Sequence, residues 1–252
     1  MALNKRQELI LQHIRSHGFA TIDELVDHFN VTPQTIRRDL NELADNSPIK
    51  RYHGGAGLES STVNDSYQHR KIMQLDAKER IAAAVVNMIP DGSSLFINIG
   101  TTTETIARAL LCKRDLQIVT NNLHVATILG AKEDFSVVIA GGEVRHRDGG
   151  IIGEATEDFI KNFRMDFGII GISGIDSEGS LLDFDYREVR VAQAIIANSR
   201  QVILAADHSK FGRKAMVRLG NIDQTNHFFT DSTPPDTIQQ IIDQHQIALH
   251  IV

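Results

Sequence analysis

The 252-residue sequence is poor in cysteine and in long apolar runs. Its single cysteine, Cys112, excludes an internal disulfide, a cysteine-based zinc cluster and an internal redox pair. No apolar run approaches the length of about 18 residues that spans a bilayer. The first residues, MALNKRQELILQHI, carry charges where a signal peptide has an apolar core. The sequence therefore predicts a soluble protein of the cytoplasm, a reducing compartment.

The histidines provide no recognisable metal-binding motif. The 11 His are scattered along the chain, no H-E-x-x-H or similar spacing occurs, and Cys112 has no second ligand nearby. We therefore expect neither a metal site nor a cofactor.

The composition is that of an ordinary globular protein, with 42% hydrophobic and 23% charged residues. At about 150 residues per domain, the length allows one domain of ordinary size and a small one. The net charge of −6 arises after position 57, because acidic and basic residues balance before it. Within the first segment Arg37, Arg38, Lys50 and Arg51 lie close together, and such local clustering favours contact with phosphates.

Three short helices are predicted within the first fifty residues. The first carries Ile10 and Ile14 on one face, and it ends before Gly18. The second begins after Thr21, which opens a Thr-x-x-Glu capping box, and it ends near Asn30. These two helices, a tight turn at Asn30-Val31 and a third helix after it are what a helix-turn-helix requires.

The third helix is expected to begin at Pro33, with Thr32 as its cap and with Ile36, Leu40 and Leu43 as its buried stripe. The segment IKRYHGGAGL that follows is too rich in glycine for a helix, and it predicts a small hairpin, or wing, that turns at Gly54 and Gly55.

The outward face of the third helix carries side chains that can contact DNA. Gln34, Arg38 and Asn41 can make bidentate contacts to base edges, whereas Thr35 and Arg37 can contact phosphates. Any solvated helix is polar outside, but the capped helix pair, the Thr-Pro start, the arginine doublet and the basic wing favour a DNA-reading helix. The predicted DNA contacts are Thr32, Gln34, Thr35, Arg37, Arg38, Asn41, Lys50, Arg51 and His53.

From about residue 57 to 75 the sequence is polar and aperiodic, which predicts a linker. Beyond it, helical patterns alternate with apolar runs: SLFINIG, LQIVT, SVVIAGG, MDFGIIGI and QVILAAD. Such an alternation indicates a parallel sheet that is covered on both faces. We therefore expect a DNA-binding domain over 1–57, a linker over 58–75 and an α/β domain over 76–252.

Polar residues follow several of these runs, at the edge where α/β sheets bind ligands. In SLFINIGTTTET a strand-end glycine and helix-start threonines offer donors to a phosphate, although Thr101 and Glu104 could equally form a capping box. Asp176 lies in DSEG, which is also an ordinary turn, and Lys210 follows QVILAAD directly. The candidate effector-binding residues are Gly100, Thr101, Thr102, Asn121, Gly141, Gly142, Arg145, Asp176, Glu188 and Lys210.

The segments VTPQTIRRDLNEL and RYHGGA resemble the winged helix-turn-helix of DeoR-type bacterial repressors. Later segments such as AGGEVR, RDGGIIGEATEDFI and DHSKFGRKAMVRLG are similar to the branch of that family that responds to glycerol 3-phosphate. The resemblance implies a sensor domain of the sugar-phosphate isomerase-like type and a homo-oligomer, dimeric or tetrameric. It also implies repression of glycerol and glycerol 3-phosphate metabolism genes, relieved when the effector binds and the protein leaves its operator DNA. The alternative is a repressor of the same type that responds to another sugar phosphate.

An enzyme is the less favoured alternative. The segment GISGID…YREVRVAQAI is similar to the part of ribose-5-phosphate isomerases that transfers protons, and Asp176 and Glu188 match two of its positions. Ser173 replaces an acidic residue, no lysine lies between 176 and 188, and the set needed for proton transfer is incomplete. Asn98 departs from the pattern of the DeoR-type repressors, in which we expect an aspartate at that strand end, and this leaves the polarity of the pocket floor open. We expect binding without turnover.

Overall fold

The computed structural model describes residues 3–17, 19–46, 49–52, 54–58 and 64–252. The chain divides between Met73 and Gln74 into two compact units. In the part of the chain that is described, no helix has the length and apolar character needed to cross a membrane.

The amino-terminal unit combines three helices with a small antiparallel sheet. Its elements are α1 (Lys5–His17), β1 (Phe19–Thr21), α2 (Ile22–Phe29), α3 (Pro33–Asn46), β2 (Ile49–Tyr52) and β3 (Gly55–Leu58). The three strands lie in the order β1-β3-β2. This arrangement is the winged helix-turn-helix that the sequence predicts.

Local signals explain where these helices begin and end. The Thr21 hydroxyl accepts a hydrogen bond from the Glu24 N–H, and the Glu24 carboxylate accepts one from the Thr21 N–H, so the predicted capping box is present. The helix ends at Asn30, whose left-handed φ of 50° is one that asparagine tolerates well. Ile36 and Leu40 are fully buried in the core of this unit.

The wing differs from the prediction by one strand. The hairpin of β2 and β3 turns through Gly54, which has a φ of 87°, whereas Gly55 is already part of β3. Strand β1 pairs with β3 from Phe19↔Gly57 to Thr21↔Gly55, and the sequence did not predict this strand. A strand of three residues is too short for a periodic signal, and its partner lies far along the chain.

Part of the segment predicted as a linker is helical. Helix α4 (Tyr67–Ile72) begins after Ser66, whose hydroxyl accepts a hydrogen bond from the His69 N–H. Residues 59–63 of the same segment lie outside the described residues.

The carboxyl-terminal unit is an α/β domain. Its helices are α5 (Leu75–Met88), α6 (Thr101–Leu110), α7 (Leu123–Leu129), α8 (Glu154–Ile160), α9 (Tyr186–Ala197) and α10 (Asp236–Gln244). Its strands are β4 (Ser94–Ile97), β5 (Gln117–Thr120), β6 (Ser136–Ile139), β7 (Glu143–Arg145), β8 (Gly150–Ile152), β9 (Met165–Ile170), β10 (Gly174–Ile175), β11 (Ser180–Asp183), β12 (Ser199–Ala205), β13 (Val217–Asn221), β14 (His227–Thr230) and β15 (Ala248–Ile251). A short 3₁₀ helix, His208–Lys210, follows β12.

Seven of these strands form a parallel sheet in the order β15-β14-β12-β9-β4-β5-β6. Both faces of its centre are buried, because Phe96 packs into one hydrophobic cluster and its neighbour Ile97 into another. The expected parallel sheet is therefore confirmed. The edge is an exception, since Val138 and Ile139 of β6 are 36% and 39% exposed although the run SVVIAGG predicted a strand covered on both faces.

The sheet changes its direction of growth at β4. Strands β5 and β6 lie on one side of β4, and β9 and β12 lie on the other side. Ligands of open parallel sheets bind outside the carboxyl ends of the strands at such a switch point. A ligand site is therefore expected among the residues that follow β4 and its neighbours.

Candidate nucleic-acid interface and ligand site

The exposed face of α3 carries four of the predicted DNA contacts. Gln34, Arg37, Arg38 and Asn41 are all exposed. They line one surface recess together with two acidic residues, Glu42 and Asp45. The predicted side chains therefore share one surface, opposite the buried stripe of the helix.

One of the acidic residues in the recess is held by neutral and cationic partners. The Arg38 Nε donates to Glu42 Oε1 at 3.0 Å, and the Gln7 side chain donates to Glu42 Oε2 at 2.6 Å. The hydrogen bonds from Arg38 and Gln7 lower the pKa of Glu42. Glu42 is thus an ionised group and, like Asp45, it adds an acidic residue to the surface that is predicted to contact DNA.

An ion pair fixes α3 against α1. The Arg6 guanidinium donates to the nearly buried Asp39 carboxylate at 2.6 and 3.3 Å. Because Asp39 faces inward while Arg38 faces outward, the pair orients the exposed face of α3. The sequence did not single out this pair, since its members lie 33 residues apart.

The threonines and the wing add further polar groups near α3. The Thr32 and Thr35 hydroxyls lie 2.9 Å apart at the start of the helix, where Thr32 also accepts from the Thr35 N–H. Burial lowers the pKa of Arg51 and the nearby positive charge of Arg37 lowers it further, so wing and helix bring two arginines together. Lys50 lies in β2, and the predicted contact His53 lies outside the described residues.

In the carboxyl-terminal unit, the turn between β4 and α6 lies at the switch point. Gly100 is the N-cap of α6 and makes no side-chain cap, and Thr101 is the first helical residue. The Thr101–Glu104 capping box is therefore wrong, because the cap position falls one residue earlier. Gly100 has a φ of 154°, a conformation that other residues rarely adopt, and an added Cβ would lie 3.3 Å from the Thr103 hydroxyl.

A lysine that the sequence analysis did not select lies at this turn. Lys78 of α5 is only 2% exposed, and its Nζ donates to the Thr101 hydroxyl at 3.1 Å. The available signal was its position, since Lys78 precedes the buried Ile81 and Ala82 by three and four residues on the same helix face. A buried lysine at a predicted phosphate turn marks a candidate anion site.

The end of β12 adds a second lysine and a carboxylate. Burial raises the pKa of Asp207, but Lys210, the Ser209 hydroxyl and Lys78 outweigh it and hold the pKa below its ordinary value. Asp207 is 1% exposed, and its Oδ2 has no hydrogen-bond partner within the described part of the chain. The structure thus brings Lys78, Thr101, Asp207 and Lys210 into one electrostatic neighbourhood.

Four other predicted effector-binding residues differ in how much open space surrounds them. Thr102 and Asn121 are buried near the same strand ends. The Gly141 carbonyl accepts from the Thr156 hydroxyl at 2.8 Å, with open space where a Cβ would be. At Gly142 a Cβ would lie 2.1 Å from that hydroxyl, so close packing explains this glycine.

Arg145 and Glu188 belong to a buried ion cluster. The Arg145 guanidinium contacts Glu188 at 2.6 Å, and it contacts Asp148 and Asp185 at 2.8 Å. Burial and the nearby Asp183 raise the pKa of Glu188 to about 8, against the opposing effect of Arg145. The donors of Arg145 are thus directed at carboxylates of the protein, whereas the sequence predicted that they bind a phosphate.

Asp176 is occupied by its own turn. Its Oδ1 accepts from the Glu178 N–H at 3.0 Å and from the Ser180 N–H at 2.8 Å, between β10 and β11. The turn alternative therefore accounts for Asp176. Within the described ranges, no group of three or more His, Cys, Asp or Glu side chains is arranged to hold a metal ion.

Comparison with known proteins matches both units. A model of the DeoR-like helix-turn-helix domain matches residues 6–62, and a model of the DeoR C terminal sensor domain matches residues 73–232. The glycerol-3-phosphate regulon repressor of Escherichia coli (strain K12) is 56% identical over 251 residues, which cover 100% of both chains. The repressor of the same name from Haemophilus influenzae is 50% identical over 244 residues, covering 97% of this chain and 95% of that one.

Among solved structures, ribose 5 phosphate isomerase A from Neisseria gonorrhoeae covers 53% of this chain and 52% of its own. The sequence identity is 16% and the TM-score is 0.39.

Proposed function

The chain belongs to the DeoR family of transcriptional regulators, and from this premise we propose that it represses genes of glycerol and glycerol 3-phosphate metabolism. In this proposal the amino-terminal unit binds operator DNA, and glycerol 3-phosphate in the carboxyl-terminal unit releases it. The protein is a transcriptional regulator and not an enzyme. Its relatives of high identity are likewise repressors.

The exposed face of α3 supports the DNA-binding half of the proposal. Gln34, Arg38 and Asn41 offer the amide and guanidinium groups that read adenine and guanine edges in the major groove. We assign contacts with the DNA backbone to the remaining predicted residues: Thr32, Thr35, Arg37, Lys50, Arg51 and His53. These contacts set the register of α3 in the groove, whereas the first group carries the sequence preference.

The buried Lys78 is the observation that carries the effector-binding half. The first N–H groups of α6 lack partners within the helix and lie at its positive end, where anions bind. Lys78 lies against Thr101 at this helix start, and Lys210 contributes a second cation nearby. We assign the effector phosphate to Gly100, Thr101, Thr102, Lys78 and Lys210.

Two further groups of predicted residues receive different roles. Asn121 and the open side of Gly141 lie at neighbouring strand ends, where the rest of the effector would extend. We assign Arg145, Glu188, Asp176 and Gly142 to the framework, because their contacts are made within the protein.

Release requires that the effector bind the DNA-free state more tightly than the DNA-bound state, since equal binding would shift nothing. We also propose that the repressor acts as a homo-oligomer in the cytoplasm. A dimer or tetramer would present pairs of α3 helices to repeated half-sites on the operator.

The test is a binding titration with an operator that the full-length protein selects from a pool of random duplexes. Glycerol 3-phosphate should release the protein, whereas ribose 5-phosphate and inorganic phosphate should release it far less. Lys78→Met should abolish release while operator affinity without effector stays near that of the wild type. Lys214→Met, which changes an exposed lysine beyond Lys210, is the matched control and should respond normally.

Three outcomes would overturn parts of the proposal. Failure to select any duplex would contradict the proposed DNA binding. Release by another sugar phosphate in preference to glycerol 3-phosphate would support the alternative effector. Interconversion of ribose 5-phosphate and ribulose 5-phosphate by the purified protein would show an isomerase.

A further inference from the structure

Two side-chain amide oxygens lie buried at the ends of adjacent strands without any hydrogen-bond donor. Asn98 follows β4 and is 2% exposed, and Asn121 follows β5 and is 0% exposed. Among the residues that the structure describes, the Oδ1 atom of each has no hydrogen-bond partner. Native proteins rarely leave buried acceptors without a hydrogen bond. Two such acceptors in neighbouring positions indicate that a bound ligand supplies the donor.

The strand register makes these two residues neighbours. Ile97 pairs with Thr120 across the parallel strands β4 and β5, so Asn98 and Asn121 occupy the next register position. Adjacent strands lie about 4.8 Å apart. Phe96 and Val119, two residues earlier, both pack into the same hydrophobic cluster, and side chains two residues apart share a face. Asn98 and Asn121 therefore lie on the same face of the sheet.

Contacts within the protein fix both residues. The Asn121 side-chain amide donates to the Ile151 carbonyl at 3.0 Å, which leaves its oxygen as the outstanding group. The Asn98 N–H donates to the Ile169 carbonyl at 3.0 Å, and the Asn98 carbonyl accepts from the Thr103 hydroxyl at 2.8 Å. The side chain of Asn121 is thus held by β8, and the backbone of Asn98 is held by β9 and α6.

The same Thr103 hydroxyl links Asn98 to the phosphate turn. It lies 2.8 Å from the Asn98 carbonyl and 2.8 Å from the Gly100 carbonyl, at the start of α6. A ligand whose phosphate lies at Gly100 and Thr101 would therefore extend its carbon chain toward the strand ends that carry Asn98 and Asn121.

We propose that Asn98 and Asn121 form a hydroxyl-reading subsite, with which the sensor distinguishes an alcohol from a carbonyl at carbon 2 of a three-carbon phosphate ester. This inference rests on the proposed function and deepens it. An amide oxygen accepts a hydrogen bond from a hydroxyl but gains nothing from a ketone oxygen, which is also an acceptor. A site with buried acceptors rejects a ligand that leaves them unpaired.

The chemistry of Asn98 suits this role. An aspartate at this position would also accept a hydrogen bond from a hydroxyl. Asparagine supplies the acceptor without adding a second negative charge to that of the buried Asp207. The site therefore reads the reduced member of an alcohol–ketone pair, the two forms that a dehydrogenase of the polyol phosphate class interconverts.

The first experiment needs no variant. Calorimetry on the full-length protein compares glycerol 3-phosphate with dihydroxyacetone phosphate and with 3-hydroxypropyl phosphate, which lacks the hydroxyl on carbon 2. We expect glycerol 3-phosphate to bind more tightly than either analogue by a factor of about 100 or more. Equal affinity for all three esters would overturn the subsite and would leave the proposed phosphate site intact. No binding of any ester would overturn both.

The second experiment uses two variants of one residue. Asn98→Leu should remove the preference for glycerol 3-phosphate and leave the affinity for 3-hydroxypropyl phosphate unchanged. Asn98→Asp keeps the acceptor and should keep the preference. Operator binding without effector verifies that each variant is folded. A loss of affinity for both esters in Asn98→Leu, or a loss of preference in Asn98→Asp, would contradict hydroxyl recognition by the Asn98 oxygen.

Discussion

Arg38 and Glu42, one turn apart on α3, form an ion pair in which Arg38 Nε lies 3.0 Å from Glu42 Oε1. The Arg38 side chain is 82% exposed and that of Glu42 is 47% exposed, so the pair contributes little to stability. Its effect is on orientation, because Glu42 is held by Gln7 and in turn restrains the guanidinium. The surface that we assign to DNA thus contains an arginine with a defined direction.

Arg38→Ala should weaken operator binding much more than random-sequence binding. A bidentate contact to a guanine edge contributes about 1–3 kcal/mol to binding. Because this contact forms only where the correct base is present, the variant loses it on the operator and not on random duplexes. Fluorescence anisotropy with both duplexes at one salt concentration measures the difference. Arg37→Ala is the comparison, and it should weaken both complexes alike. An equal loss on both duplexes for Arg38→Ala would exclude it from base reading.

Glu42→Gln should reduce the ratio of operator affinity to random-sequence affinity. The change removes a negative charge from the DNA-facing recess, which raises binding to any duplex, and it loosens the restraint on Arg38. The same anisotropy measurement, repeated at several salt concentrations, reports both effects. Asp45→Asn, on the same recess but without a bond to Arg38, should raise binding to both duplexes. An unchanged affinity ratio in Glu42→Gln would contradict the orienting role.

Gly100→Ala should abolish release by effector and leave operator binding intact. Its backbone conformation disfavours any side chain, and the added methyl group would approach the phosphate turn. Thr101→Ala should bind effector more weakly, because Lys78 loses the hydroxyl that orients it. Calorimetry with glycerol 3-phosphate provides the measurement. Unchanged binding in both variants would show that the phosphate is bound elsewhere.

Glu157 should make the carboxyl-terminal unit sensitive to acid. Hydrogen bonds from Arg190 and Lys161 lower the pKa of Glu157 to about 2, so its ion pairs stabilise the fold above its ordinary pKa of about 4.5 and fade as the pH falls toward 2. Its contact with Arg190 at 2.6 Å joins α8 to α9.

Urea unfolding at pH 7 and at pH 3 tests this expectation. Glu157→Gln should lower stability at pH 7, and the difference from the wild type should be smaller at pH 3. Glu154→Gln changes an exposed acid one turn earlier and should show little difference at either pH. A Glu157→Gln effect that grows as the pH falls would contradict the sign of the pKa shift.

The helix-turn-helix could be predicted because its signals are local. Thr21 and Glu24 cap a helix within four residues, and the buried stripe of α3 needs only its own period. In the sheet, β4, β5, β9 and β12 were visible as apolar runs. Strands β14 and β15 were not predicted, since each has only four residues and includes a half-buried histidine, His227 or His250.

The ligand site was predictable only in part, because its members depend on distant partners. Gly100 and Thr101 lie at a strand end that any parallel sheet would expose. Lys78 was missed, since a lysine is ordinarily taken for a surface residue and its burial depends on α6. The surroundings of Arg145 were not predictable either, because Asp185 and Glu188, which its guanidinium contacts, lie about forty residues away in sequence.

The strand order of the two units also determines which unit can fold first during synthesis on the ribosome. All strand pairs of the amino-terminal sheet close by Leu58, whereas β4 must await β9, with Leu95 opposite Phe167, before the second sheet has a centre. A nascent chain therefore completes its operator-reading surface well before Asp207 and Lys210 are synthesised. We expect chains that end after β9 to fold an operator-binding unit that does not respond to the effector. Premature termination would therefore yield a fragment that represses constitutively.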